Sequence, residues 1–454
     1  MLKRSLLLMF VPFMLVGQGW VMPDVEINRT GWTALAWNPS ELAYSTGSYG
    51  IMLTTNIPLI SVTTNTGIIG YDGDYTLRHR SNSESKVLLN YKTGFDVPFF
   101  DGKLGFGLFR PFGRLINLDL YEFPVGYYDT VLQVSMPQFD WGTNISSIEF
   151  AVGWATYLTD FLTVGVSGGY VKVNGSYKYV KLHHISSFID NFMADSVPIQ
   201  FVYIPEMREF NGDGTSWTYA LGIGLEVGKI KLSLGMKRYQ PISLEGYELR
   251  TTYFPQDSIL AETIDSAVFS GGVSEYSLST ALNLFGFTKF SAGVTLKLAE
   301  NADLNLKVER FRWDRPTWNT TGWPRGISPA VFVQRDTFYL DWNDITRYSL
   351  ELRYETIHNS VLFFGLGYTE PIQNEHYTPL FGEPGAAFSL KFAIDYMVSQ
   401  DLAVEVGYEF LRHNRTAVGE VGSADAQFTL SGEYAASSDK VLFGLIYNFP
   451  NKKE

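Results

Sequence analysis

The feature that most constrains this chain is an alternation of two kinds of gap between strand-like segments: a very short turn, then a long connection, repeated along its length. Tight turns fall near Asp101-Gly102, Thr159-Asp160, Gly228, Asn301-Ala302, His358-Asn359 and Gln400-Asp401. The connections between them run to roughly 15–35 residues, far beyond ordinary hairpin length. An antiparallel meander built this way carries its short turns at one end and its long loops at the other. That asymmetry belongs to closed outer-membrane barrels, with periplasmic turns and extracellular loops.

Alternation within the strands points the same way. Phe388, Leu390, Phe392, Ile394, Tyr396 and Val398 alternate with Ser389, Lys391, Ala393 and Asp395, and Ile230–Met236 and Tyr348–Tyr354 repeat the pattern. A soluble sandwich also alternates, but segments of about ten residues fit a tilted membrane-crossing strand. Six short turns each join two strands, and one strand lies before them and one after. The expectation is therefore an all-β fold: a closed antiparallel transmembrane β-barrel of about 14 strands, from near Tyr49 to Phe449, with both ends periplasmic. Ser437-Ser438-Asp439 reads as interior to the last strand, since a turn there would make the count odd.

Composition agrees. The 33 Phe, 27 Tyr and 10 Trp suit aromatic girdles, and 42 Gly suit a crowded lumen. With no cysteine there is neither a disulfide nor a lipidated N-terminal Cys. A net charge of −12 without a basic cluster speaks against nucleic acid. Lys3, Arg4, the apolar Leu6–Val16 stretch and small residues at 17–19 read as a signal peptide over 1–19. Residues 20–46 then form a short N-terminal plug segment and 47–454 the barrel.

Several short motifs, in order, resemble the FadL-type family of long-chain fatty acid and hydrophobic-compound transporters. They are Gly31–Ser40 (GWTALAWNPS), Gly105–Gly113 (GFGLFRPFG), Leu232–Gly246, Asp303–Asp314 with Trp313, and the last strand Lys440–Phe449. The segment before Asn38 lacks the family's Gly/Ala-rich stretch, and Ser40 stands where Ala is usual. The resemblance implies a plugged 14-stranded barrel in which loops catch hydrophobic substrates, a hatch around Trp37, Asn38 and Pro39 receives them, and a kink in the third strand releases them sideways.

Three constellations in the residues bear on such a role. Ile185, Phe188, Ile189, Phe192 and Met193 recur at helical spacing in a long loop, either packing on the rim or forming an apolar landing groove that Tyr203-Ile204-Pro205 would complete. Pro111, flanked by Gly107 and Gly113, cannot donate to a strand ladder. It marks either a break in the wall, a lateral gate, or a loop junction above the membrane. Lumen-side charges of mixed sign, among them Glu149, Lys231, Lys307, Glu309, Glu351 and Glu409, suggest a neutralising ladder rather than a selectivity ring. Trp32 and Trp37 would stack beneath the Asn38-Pro39 turn.

No phosphate loop, metal-ligand spacing or paired carboxylate stands out, and His413 with Ser431 is the nearest approach to a catalytic pair. The reading is of a non-enzyme: a monomer without cofactor or metal, in contact with outer-membrane lipid and lipopolysaccharide, that passes hydrophobic small molecules through the outer membrane of a Gram-negative-type cell. A structural or assembly barrel serving protein secretion or surface presentation is the alternative.

Overall fold

The computed structural model describes residues 19–21, 31–66, 77–82, 88–111, 113–118, 141–189, 191, 193, 197, 203–284, 286–314, 317–324, 334–339, 343–356, 359–371, 386–413, 416–418 and 432–449. The proposed signal peptide, apart from Gly19, lies outside them.

Fourteen antiparallel strands close into one barrel. The first is β1 (Ser48–Thr66), followed by β2 (Leu77–Asn82 and Leu88–Phe99) and β3 (Gly102–Phe109 and Gly113–Leu118). Then come β4 (Trp141–Thr159), β5 (Leu162–His184) and β6 (Tyr203–Val227). Strands β7 (Ile230–Tyr239 and Ile242–Gln256), β8 (Ser270–Leu284 and Phe287–Ala299) and β9 (Ala302–Trp313 and Thr317–Pro324) are each interrupted once. The set ends with β10 (Gln334–Tyr339 and Ile345–Glu355), β11 (Ser360–Thr369), β12 (Ala387–Met397), β13 (Leu402–His413 and Thr416–Val418) and β14 (Gly432–Asn448). Closure is continuous in register from Ser48↔Asn448 to Thr64↔Gly432, and Ser437–Asp439 lies inside β14. The six short turns all lie at the end where β1 begins and β14 ends.

Period-2 alternation decides which face each residue presents. Outward positions such as Leu232, Leu234, Leu350, Phe392 and Phe443 stay exposed, while inward ones such as Glu149, Lys237, Glu309 and Glu405 are buried. This is a soluble protein turned inside out. Aromatics ring both ends of the belt: Phe99, Tyr157, Tyr354 and Tyr396 by the turns, Trp217, Tyr219, Tyr348 and Phe388 by the loops. An apolar wall with two aromatic girdles is a membrane-spanning surface.

The inward charges pair as a mixed-sign ladder. Glu309 lies 3.1 Å from Lys307 and 3.6 Å from both Lys289 and Arg347, and Lys440 lies 3.3 Å from Glu409. Such pairing offsets the desolvation that an isolated buried charge would suffer.

Candidate functional site

Two 3-10 helices, Gly31–Ala36 and Pro39–Tyr44, sit inside the lower barrel against β1 to β7. Asn38 joins them as the cap of the second, its side chain accepting from the Ser40 backbone N–H at 3.1 Å and the Ser40 hydroxyl at 2.9 Å. Pro39 follows at the first helical position, where its missing N–H costs nothing. Trp37 and Asn38 are almost wholly buried.

Glycine on the wall makes the room. A Cβ at Gly222 would lie 1.8 Å from Asn38 Oδ1, and one at Gly165 would lie 2.4 Å from the Pro39 carbonyl carbon. The plug is then fastened by lysines and an aspartate. Lys237 donates to the Leu35 carbonyl at 3.1 Å while holding Glu149 at 2.8 Å, and Lys289 donates to the Ala36 carbonyl at 2.9 Å. Glu41 pairs with Lys231, and Lys307 rests 4.6 Å over the Trp37 ring. On the opposite side Asp96 accepts from the Trp32 N–H at 3.1 Å and the Ser48 hydroxyl at 2.8 Å, and also from Ser45.

Trp32 and Trp37 do not stack under the Asn38-Pro39 turn. Trp32 instead stacks on Phe109, with ring centroids 5.9 Å apart, and Trp37 faces Lys307. The signal for Trp32 is long-range: Phe109 folds back over Gly107, whose Cβ would come within 2.3 Å of its ring. Gly107 therefore seats a side chain and lies in fully paired strand, opposite Gly94 and Ala151.

The interruption of β3 begins just above it, at Arg110 and the buried Pro111. Four residue steps on β3, from Phe109 to Gly113, match three on β4, from Glu149 to Ser146. The extra residue is a bulge. On the other side the pairing with β2 stops at Thr93↔Leu108. Among the described residues the upper half of β2 pairs with β1 alone. The upper edge of β3 is taken instead by Gly19–Val21, with Trp20 opposite Arg114 and Val21 opposite Gly113. Six steps from the Phe99 turn to Thr93, at ~3.3 Å each and a tilt of about 40°, put the split roughly 15 Å up, half of the ~30 Å hydrocarbon core.

Above the membrane, β5 to β8 continue as an extended wall roofed by two loops. Ile185 and Ile189 are buried with Val197 and Ile204 against Leu260, Val268 and Phe269 of the β7–β8 loop. That loop holds two short helices, α1 (Ser258–Thr263) and α2 (Ser266–Phe269), capped by Asp257 and Asp265. Among the described residues of Ile185–Met193 the expected helix is not formed: a 3-10 turn covers Ile185–Ser187, and Asn191 has a φ of 54°. β-branched Ile185 and Ile189 gain more from the tertiary cluster than from a helical stripe. Phe188 and Met193 stay exposed, Phe188 edge-on to Phe254, and Phe192 lies outside the described residues.

Beneath this roof lies a buried ionic lattice that the sequence analysis missed. Glu206 and Arg208 on β6 pair at 2.6 Å, His183 reaches Glu206 at 3.2 Å, and Arg250 pairs with Glu248, which accepts from Tyr177 at 2.6 Å. Burial would raise the Glu206 carboxyl, but His183 and Arg208 overcome it and hold the group at about 2. The sign of the lattice was legible: Glu206-Met-Arg208 and Glu248-Leu-Arg250 each place acid and base on one face of a strand.

Among the described residues no set of three His, Asp or Glu side chains is arranged to hold a metal. His413 ends the first part of β13, and Ser431 lies outside the described residues.

Plug, split third strand and roofed lumen define a plugged, fourteen-stranded membrane barrel. No protein-family model matches the sequence, and no curated protein matches it. Among solved structures the Pseudomonas putida toluene transporter TodX superposes with a TM-score of 0.67 at 14% identity, covering 93% of this chain and 95% of that one. A Pseudomonas aeruginosa FadL homologue gives 0.66 at 12% over 93% and 95%, and the Ralstonia pickettii toluene transporter TbuX 0.59 at 11% over 92% and 94%. The chain thus has the FadL-type barrel fold.

Proposed function

We propose that this protein is an outer-membrane channel for passive uptake of hydrophobic small molecules, fatty-acid-like or hydrocarbon, captured at the loops and released sideways. The observation that carries the reading is the loss of β2–β3 pairing at mid-membrane, above the two helices that sit inside the barrel. A cargo that descends the barrel meets the plug, and the split wall is its nearest way out. Backbone groups at that depth need a partner; Trp20 and Val21, which stay after cleavage behind Gly19, supply one and would have to yield as cargo leaves. Gly113 and Pro111 frame the opening, with Gly107 beneath it, and Phe188 and Met193 offer exposed apolar contact outside. The solved toluene transporters and the monoaromatic hydrocarbon channel CymD, which share this fold, support an apolar cargo.

An assembly or scaffold barrel is the second reading, favoured by how tightly Asp96, Lys237 and Lys289 fasten the plug. One experiment separates them. The chain has no cysteine, so Trp20→Cys with Arg114→Cys creates its only thiol pair. Directly opposed residues on antiparallel strands are within disulfide reach. Oxidation is expected to stop entry of a hydrophobic tracer and reduction to restore it. Equal uptake in both states, with the disulfide verified by mass, would rule out the lateral route and favour the scaffold.

A further inference from the structure

On the outside of the wall, away from plug and loops, β9 to β13 enclose an apolar groove of about 610 Å3. Its form follows from cross-strand registry. Leu306, Leu350, Leu366 and Leu390 fall side by side on four neighbouring strands and lead to Phe410 on a fifth. One row toward the loops, Tyr348, Tyr368 and Phe388 pack in series, with centroids 6.3 Å and 5.0 Å apart. One row toward the turns, Phe364 and Phe392 pack at 5.0 Å. Leucines between two aromatic ridges make a valley. Four inter-strand spacings of ~4.8 Å give it a length of roughly 19 Å, that of a long acyl chain laid along the wall.

The valley has a charged end. Arg412 stands beside Phe388 in the aromatic row, exposed, and lines the groove. Ten steps above Leu402, it lies roughly 25 Å up the tilted strand, at the loop-side interface. Two other arginines of that rim are matched, Arg310 by Asp344 at 3.5 Å and Arg238 by Asp314. Arg412 has no acid partner among the described residues. The acid opposite Phe410, Asp439, is engaged by the Tyr408 hydroxyl.

We propose that this groove binds a phosphorylated, multiply acylated glycolipid of the leaflet facing the loops, one acyl chain along the leucine row and a phosphate on Arg412. An apolar trough closed by a lone guanidinium matches that amphiphile, and arginine suits phosphate because its planar fork can donate two bonds at once. The inference rests on the wall being membrane-spanning and not on the uptake reading, so a variant that no longer transports but still binds the lipid would leave it standing.

The test is native mass spectrometry of the purified barrel, titrated with bisphosphorylated lipid A and with the same lipid enzymatically dephosphorylated. The wild type is expected to favour the phosphorylated form by about tenfold, and Arg412→Gln to erase that preference. Leu366→Trp, which fills the trough, is expected to weaken both forms. An unchanged preference in Arg412→Gln overturns the proposal. So does undiminished binding in a folded Leu366→Trp, which would mean unspecific annular lipid, or displacement of the lipid by inorganic phosphate alone, which would leave the trough without a role. Should Leu366→Trp fail the heat-modifiable migration of a folded barrel, the Arg412 arm decides.

Discussion

At the scale of single residues the lumen is a fitting problem solved by missing atoms. Gly222 is the sharpest case, because nothing larger than hydrogen leaves space for Asn38. Gly222→Val is expected to keep the barrel, since valine favours strands, while displacing the plug. Losing the burial of Trp32, Leu35, Trp37 and Leu42 would cost about 1.5–3 kcal/mol for each side chain freed. The measurement is single-channel conductance in a planar bilayer, expected to rise well above that of the wild type. A silent Gly222→Val channel with a folded barrel would mean that the plug tolerates the intrusion.

At the scale of elements, the loops above the membrane stand on ion pairs as well as on apolar packing. Glu206 is paired with Lys181 in the β5–β6 register, nineteen steps above Leu162. That is roughly 45–50 Å from the turns and clear of the ~30 Å core. Its folded pKa of about 2 lies below the ordinary 4.5, so its contribution is fully present above pH 4.5 and is lost as pH falls through 2. Hydrogen exchange across Tyr203–Arg208 is expected to quicken progressively from pH 4.5 toward pH 2, relative to the intrinsic rate. Glu206→Gln should show that loosened state already at pH 7, with a flattened pH dependence. A wild-type profile identical to that of Glu206→Gln would remove the ionic lattice from the account.

What was legible in the sequence divides along this line between local and distant causes. Turns and alternation are local, so Asp101, Asp160, Gly228 and Asn301 announced the end of each hairpin, and Phe388–Val398 announced its outward face. The strand break at Pro111 was equally local, since proline lacks the N–H that the ladder needs. The plug's anchors were not. Lys237 and Lys289 reach carbonyls 202 and 253 residues away, and nothing near either lysine in the chain distinguishes it from other lumen charges. The loop stripe was legible only as a spacing, because Ile185 and Ile189 pack against α1 and α2, far along the chain.

At the scale of the whole molecule the reading depends on which end faces out, and the absence of cysteine makes that testable without altering the background. Phe100, at the β2–β3 turn, is 88% exposed, and Met193, in the β5–β6 loop, is 73% exposed, so each accepts a thiol without disturbing packing. All six short turns share the end of Phe100, and export through the inner membrane leaves that end in the periplasm. In intact cells a membrane-impermeant maleimide is therefore expected to label Met193→Cys and to spare Phe100→Cys. Opening the outer membrane should make both react. Labelling of Phe100→Cys alone in intact cells would invert the barrel. The buried roof of Ile185, Ile189 and Phe269 would then face the periplasm, loop capture from outside would have no surface to act on, and Arg412 would meet the inner leaflet, where the phosphorylated glycolipid is not found. Reaction of both sites in intact cells would place the chain in no sealed membrane at all, against the exposed apolar belt from which the assignment began.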